Sequence, residues 1–252
     1  MSNVNRETGS PQVDGIEAGR PPQVAALGQV GPLQLAGKLL SIQVGLPAEK
    51  VYARPTDDHE AVWVSGIDKR RVDGPVELGL TNLAGDGQAD LKHHGGPHRA
   101  VLLYSAAHYD EWPDVLGVPR FECGAFGENF TVSGFSEETS CIGDILQIGE
   151  VVVQVSQPRG PCWKLGRKHH LPLLPVEVER RGWTGWYVRV LQTGTVEPCQ
   201  QITLVERLHP QWTITETHRI MRERRTAREE ALTLAACPEL SSDWQRTLRE
   251  LD

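Results

Sequence analysis

The sequence predicts a mainly β domain, a closed or nearly closed barrel, with a small α-helical appendage at its C-terminal side. Short strand-like runs recur at 38–44, 72–80, 99–104, 142–148, 150–156, 186–191 and 201–206, separated by Gly, Pro, Asn or Asp signals. Only 106–116 reads as a helix among them, which argues against a doubly wound sheet, where helices must alternate with strands. After Pro210 the pattern of the chain becomes helical.

The elements follow in order. Residues 1–35 are rich in Gly, Pro and Gln with few periodic apolar residues, so they cannot bury enough surface to offset the entropy of ordering. They are expected to be a disordered tail. The barrel domain is placed at 36–210. It opens with the alternating run Lys38-Leu39-Leu40-Ser41-Ile42-Gln43-Val44, which Gly45 and Pro47 close. Gly149-Glu150 reads as the tight connection of a hairpin whose second strand delivers the chain to Arg159 and Cys162. Residues 211–252 are expected to form three short helices. Thr213-x-x-Glu216 and Thr226-x-x-Glu229 have capping-box spacing, and Trp244, Leu248 and Leu251 share one helical face. Arg219, Arg222, Arg224, Arg225 and Arg228 are interleaved with Glu216, Glu223, Glu229 and Glu230, the pattern of a salt-bridged surface rather than of a DNA-binding one.

Composition narrows the function. With 26 Lys and Arg against 33 Asp and Glu, net charge −7, a general nucleic-acid surface is not expected, and any anion site must be a local cluster of cations. Arg159, Lys164, Arg167 and Lys168 supply one. The cysteines at 123, 141, 162, 199 and 237 form no Cys-x-x-Cys pair and leave an odd one over, so neither a disulfide framework nor a zinc ribbon is suggested and a cytoplasmic setting fits. No apolar run is long enough to span a bilayer.

Two segments carry chemistry. In Gln157-Pro158-Arg159-Gly160-Pro161-Cys162-Trp163-Lys164 the prolines stiffen the backbone around one cysteine, and Arg159 and Lys164 favour its thiolate, the form that binds metals. A packing cysteine is the bland alternative. The segment from Gly85 to His98 concentrates titratable groups in a glycine-rich loop. It lacks the Gly-Lys-Ser/Thr of a P-loop, and His93, His94 and His98 do not match the usual zinc spacings. Asp86 and Asp90 could pair as carboxylates, although an Asp-Gly turn is the ordinary role of Asp86. Gly127-Glu128-Asn129 adds two side chains able to make fixed hydrogen bonds from a turn.

Together these segments closely resemble the MOSC family, named for the C-terminal domain of molybdenum cofactor sulfurase, and within it the YiiM-like branch. The likeness is carried by Gly45-Leu46-Pro47, Asn82 to Asp90, His93-His94-Gly95-Gly96, Gly127-Glu128-Asn129, Ile142-Gly143-Asp144, Ser156 to Arg159, Pro161 to Lys164 and Thr184-Gly185-Trp186-Tyr187. Arg99 stands where the branch usually has Lys, and Cys199-Gln200 where it has Gly-Asp.

The resemblance implies a MOSC-type β-barrel binding a molybdenum cofactor (molybdopterin), with Cys162 as the thiolate ligand to the metal. Arg159 and Lys164, with Gln157, Gly95, Gly96 and Asn129, would hold the anionic cofactor. It further implies reduction of N-hydroxylated compounds such as hydroxylaminopurine-type bases, with His93 and His94 delivering protons or touching substrate. With no iron–sulfur cysteine cluster and no dinucleotide fingerprint, electrons are expected from an external reductase, and a homodimer is left open. The competing reading is a non-catalytic carrier that holds the cofactor, or carries sulfur as a persulfide on Cys162.

Overall fold

Strand β1 (Ala36–Val44) is the element on which the sheet closes, because it hydrogen-bonds to three other strands. A computed structural model describes residues 35–51 and 62–250 of the chain. Residues 1–34, where the expected disordered tail falls, lie outside the described residues; Leu35, assigned to that tail, packs against the core and accepts a hydrogen bond from Leu204 N at 3.2 Å. After β1 come β2 (Ala48–Val51), β3 (Val62–Ser65), β4 (Arg70–Val72), β5 (Val76–Leu78), the single turn α1 (Leu91–His94) and β6 (Val101–Ser105). Then follow α2 (Ala107–Leu116), β7 (Phe130–Ser133), β8 (Ile145–Ile148), β9 (Val151–Pro158), α3 (Trp163–His169) and α4 (Leu174–Arg181). The order finishes with β10 (Trp186–Gln192), β11 (Gly194–Val196), β12 (Gln201–Glu206), α5 (Ile214–Glu223), α6 (Arg228–Ala235) and α7 (Ser242–Arg249).

Seven strands close in the order β12-β8-β9-β10-β6-β7-β1, with β1 returning to β12 and β4 added to β1. Closure removes the unpaired edges that an open sheet would present. A bulge between Leu39 and Ser41 inserts one residue into β1, which is why Leu39 and Ile42, three apart, can both face the core. Inside lie Leu103, Phe130, Val132, Leu146, Val153, Val155, Val188 and Ile202, all buried. Every pair in the ring is antiparallel except β6 with β7. A parallel pair cannot be joined by a hairpin, so a long crossover carrying α2 and residues 117–129 is required.

A second apolar cluster joins α2, α3 and α4 through Tyr104, Trp112, Phe126, Leu165, Leu174 and Val178. The C-terminal helices instead extend the barrel's own core, where Ile214, Ile220, Leu234, Leu240 and Leu248 are buried. Arg219 pairs with Glu216 at 2.6 Å, with Glu223 at 2.5 Å and with Glu230, giving the salt-bridged surface expected.

The hairpin at Gly149-Glu150 forms with Ile148 opposite Val151. Several expectations are corrected. The single strand expected at 72–80 is two short ones, β4 and β5, interrupted at Asp73-Gly74-Pro75. Helices α3 and α4 and strand β7 were not anticipated, since they are short and lack a full amphipathic repeat. Thr213 caps α5, accepting from Glu216 N at 3.1 Å. Thr226 does not cap α6; its hydroxyl donates to Glu223 O, and the helix starts one residue later, after Ala227. Cys199 sits at φ 72, a left-handed conformation suited to the Gly that the family pattern has there.

These caps make a paired prediction. Thr213→Ala should lower unfolding free energy by about 1 kcal/mol in urea denaturation, whereas Thr226→Ala should cost only a few tenths. Equal losses would contradict the capping assignment.

Candidate functional site

Four loops converge beside β6, β7, β9 and β10, at residues 65–69, 87–94, 126–129 and 159–164. They enclose a solvent-open cleft of about 660 Å³. Its lining includes Lys69, Gly87 to Asp90, His94, Arg99, Asn129, Arg159, Cys162, Lys164 and Tyr187. Of the five free cysteines, Cys162 alone lines the cleft. It is half-buried and extended (φ −115, ψ 165), and its carbonyl accepts from Leu165 N at 3.1 Å as α3 begins. Cys141, by contrast, is buried, with its thiol pushed up to about 11 by burial and by Asp144.

The crossover loop is fixed from inside by Glu128. Its fully buried carboxylate accepts from Gly124 N at 2.6 Å, Phe126 N at 3.1 Å, Thr131 Oγ1 at 3.0 Å and the hydroxyl of Tyr109. The loop carbonyls are thereby turned the other way. Arg159 Nη2 donates to Phe126 O at 3.0 Å, Lys168 Nζ to Gly124 O at 2.7 Å, and His169 Nε2 lies 2.7 Å from Ala125 O. Burial lowers Lys168 to about 8.

Arg159 is 5% exposed, and its Nη1 has no partner although a buried guanidinium nitrogen left unpaired is costly. The buried Gln157 Oε1 is likewise unpartnered. Gln157 lines a recess that adjoins the cleft and reaches Trp244 of α7. Lys164 donates to Val64 O at 3.2 Å and lies 5.9 Å from the ring centres of Trp63 and Trp163.

The glycine-rich segment is less of a loop than its composition suggests, because 91–94 close into the helical turn α1. His94 lines the cleft, and burial, then the charge of Lys164, holds it below the usual imidazole range. The backbone of His93 is in the same turn; its side chain lies outside the described residues. Gly95 packs against Leu91, whose Cδ2 would meet a Cβ there at 2.9 Å, and Gly96 at φ 93 leads into a turn at Pro97–Arg99. The two glycines shape this segment, and Gly87 to Asp90 and His94 form the wall.

Asp90 lines the cleft, whereas Asp86 is turned into the protein. Asp86 is buried, ion-paired to Lys69, and accepts from Gly45 N at 2.9 Å and Asn129 Nδ2 at 2.9 Å. Asn129 also donates to Gln43 O at 3.2 Å and accepts from Leu102 N at 3.2 Å, so its amide is used inside the protein. Lys69, absent from the sequence-derived site, has its pKa lowered by burial against the opposing pull of Asp86. Tyr187, which the sequence marked only as part of the family likeness, is pushed up by burial and keeps its hydroxyl proton.

The C-terminal helices reach this site from behind. His218 of α5 hydrogen-bonds the backbone carbonyl of Arg159 and lies 3.0 Å from Thr184 Oγ1. Ser241 N donates to Ser156 O at 3.0 Å, and Arg99 pairs with Asp243 of α7 at 2.9 Å.

A closed β-barrel thus gathers one cysteine and several cations in an open cleft. The MOSC domain family matches residues 90–203. YflK of Bacillus subtilis, an uncharacterized protein, is 44% identical over 67% of this chain and 73% of its own. A protein of Gibberella moniliformis named Reductase is 37% identical over 70% of this chain but 31% of its own length. The crystal structure of YiiM from Geobacillus stearothermophilus superposes with a TM-score of 0.70 at 34% identity, covering 86% of this chain and all of that one. The chain belongs to the MOSC family, and its function is of the MOSC type, tied to the molybdenum cofactor. No helix among the described residues is long and apolar enough to cross a membrane.

His218 makes the site acid-sensitive. Burial lowers it from 6.5 to about 4, so between those values the unfolded chain binds the extra proton and the folded one does not. Stability should therefore fall as pH drops from about 6.5 toward 4, by up to roughly 1.4 kcal/mol per pH unit. Urea titrations across this window should show a shallower slope for His218→Gln; an unchanged slope would assign the acid sensitivity to other groups.

Proposed function

We propose that this protein is a molybdenum-cofactor oxidoreductase that reduces N-hydroxylated compounds, with electrons supplied by a separate reductase. The reading rests on the unpartnered, buried Arg159 Nη1 beside Cys162 in a cationic cleft, within a family that binds this cofactor. The donor set suits the group. Cys162 offers a soft thiolate to the metal, while Arg159 and Lys164 offer charge-assisted hydrogen bonds to its anionic part. Gln157 Oε1 is available to accept from a pterin N–H. The cofactor, when bound, would supply the two electrons that reduction of an N–OH group requires.

The chain's own residues supply orientation and protons. His94, held neutral near pH 7 by burial and by Lys164, would rise in pKa beside an anion and so become a better donor at the leaving hydroxyl. Tyr187 keeps its proton and can hold a substrate heteroatom by donating a hydrogen bond. The Gibberella relative named Reductase, most of whose length lies outside the match, supports coupling of this domain to a reductase. The carrier reading differs in predicting cofactor binding without turnover.

Protein made in a host able to synthesise the cofactor should contain molybdenum and pterin, and protein from a host unable to do so should not. Cys162→Ala should fold and lose molybdenum; retention at wild-type stoichiometry would overturn its assignment as ligand. Arg159→Ala should weaken cofactor binding by roughly one to two decades, the worth of a charge-assisted hydrogen bond. His94→Ala should keep molybdenum yet slow reduction of an N-hydroxylated base by a chemical electron donor. A loaded wild-type protein inactive in that assay would favour the carrier.

A further inference from the structure

Away from the cleft, the segment after β12 meets the turn between α6 and α7 and brings three metal-ligating side chains together. Among the described residues, His209, Cys237 and Glu239 are the one such group of three or more, with ligand atoms all within 4.8 Å of one another. His209 Nε2 lies 2.6 Å from Glu239 Oε2, and Cys237 Sγ lies 3.6 Å from that oxygen.

The cysteine is presented as a ligand rather than as filler. In Cys237-Pro238-Glu239-Leu240 the backbones of Leu240 and Glu239 both hydrogen-bond to its side chain. Two such bonds in one turn favour a sulfur anion, which a packing thiol would not need. Burial works against them and holds the metal-free thiol above its ordinary range. Gly143, at φ 84, leaves room for the other two ligands: a Cβ there would lie 3.1 Å from His209 Cδ2 and 3.2 Å from Glu239 Cγ. The His209 and Glu239 side chains remain 24% and 20% exposed, so an ion can enter from solvent.

We propose that His209, Cys237 and Glu239 bind a zinc-class divalent cation, with water as fourth ligand. Imidazole, thiolate and carboxylate are zinc's usual donors, and three protein ligands with one open position are an established zinc arrangement. Without metal, protons hold the three groups together through hydrogen bonds. Binding Zn²⁺ releases the thiol proton to solvent and moves the proton shared by His209 Nε2 and Glu239 to imidazole Nδ1, so that thiolate, Nε2 and carboxylate coordinate in place of those bonds; no electrons move. The two anionic ligands offset the metal's charge beside Arg189, whose Nη2 donates to Glu239 O. The ion would tie the exit of the barrel to the α6–α7 turn, well apart from Cys162 in sequence and independent of the cleft chemistry.

The test uses the full-length chain with Cys162→Ala, which removes the cleft thiol as a competing ligand. Titration with Zn²⁺ against a chromophoric chelator should show one tight equivalent, and Co²⁺ should give a thiolate-to-cobalt charge-transfer band. Adding Cys237→Ser should abolish the band and weaken Zn²⁺ binding at least 100-fold; His209→Asn should also weaken it. Zn²⁺ should raise the Tm of Cys162→Ala but not of Cys162→Ala/Cys237→Ser, whose unchanged Tm without metal would show that the fold persists. If Cys162→Ala binds no more Zn²⁺ than the double variant, or shows no cobalt–thiolate band, the proposal fails.

Discussion

The buried carboxylate of Glu128 is the interaction on which the cleft depends. A closed ring containing one parallel pair needs a long crossover, and that crossover must pass the barrel end with its backbone polar groups satisfied. Glu128 takes the N–H side of the loop, including Gly124 N and Phe126 N. The opposite side of the peptide units then faces out as carbonyls, and cations on or just before α3 seize them. The position of Arg159 beside Cys162 is therefore set by a carboxylate that never meets the cleft's contents.

A second support comes from charge. The chain is acidic overall, yet Lys69, Arg99, Arg159 and Lys164 all line one cleft. Two are neutralised locally, Lys69 by Asp86 and Arg99 by Asp243. Among the described residues Arg159 is held by a carbonyl oxygen, and Lys164 by a carbonyl oxygen and the rings of Trp63 and Trp163, contacts that orient a cation without cancelling its charge. The cleft thus keeps its positive potential where the cysteine lies, and an anion entering it meets groups already in place.

Much of this was legible in the sequence, for physical reasons. Alternation and turn chemistry announce β1, β9, β10 and β12, and the Pro-framed cysteine announces a presented thiol. Motif resemblance identified the family and marked Arg159, Cys162 and His94, all of which the fold brings to one cleft. Lys69 was hidden because Asp68-Lys69-Arg70-Arg71 reads as a solvated charge run, and only tertiary burial distinguishes one member. Asp86 read as a turn residue for the same reason. The bracing by His218 could not be inferred, since a lone histidine on an amphipathic helix carries no sign of what it will meet 59 positions away in the chain, at Arg159.

That bracing also bears on how the protein is made. Strand β12, which begins at Gln201, closes the ring long after β1, which ends at Val44, has emerged, and α5 and α7, which grip Arg159, Ser156 and Arg99, emerge later still. Synthesis runs from the N-terminus, so during translation the cysteine-bearing loop exists before anything holds it. The nascent chain thus passes through a stage in which the Cys162 loop is out but its braces are not, and the last helices are the step that completes the cleft.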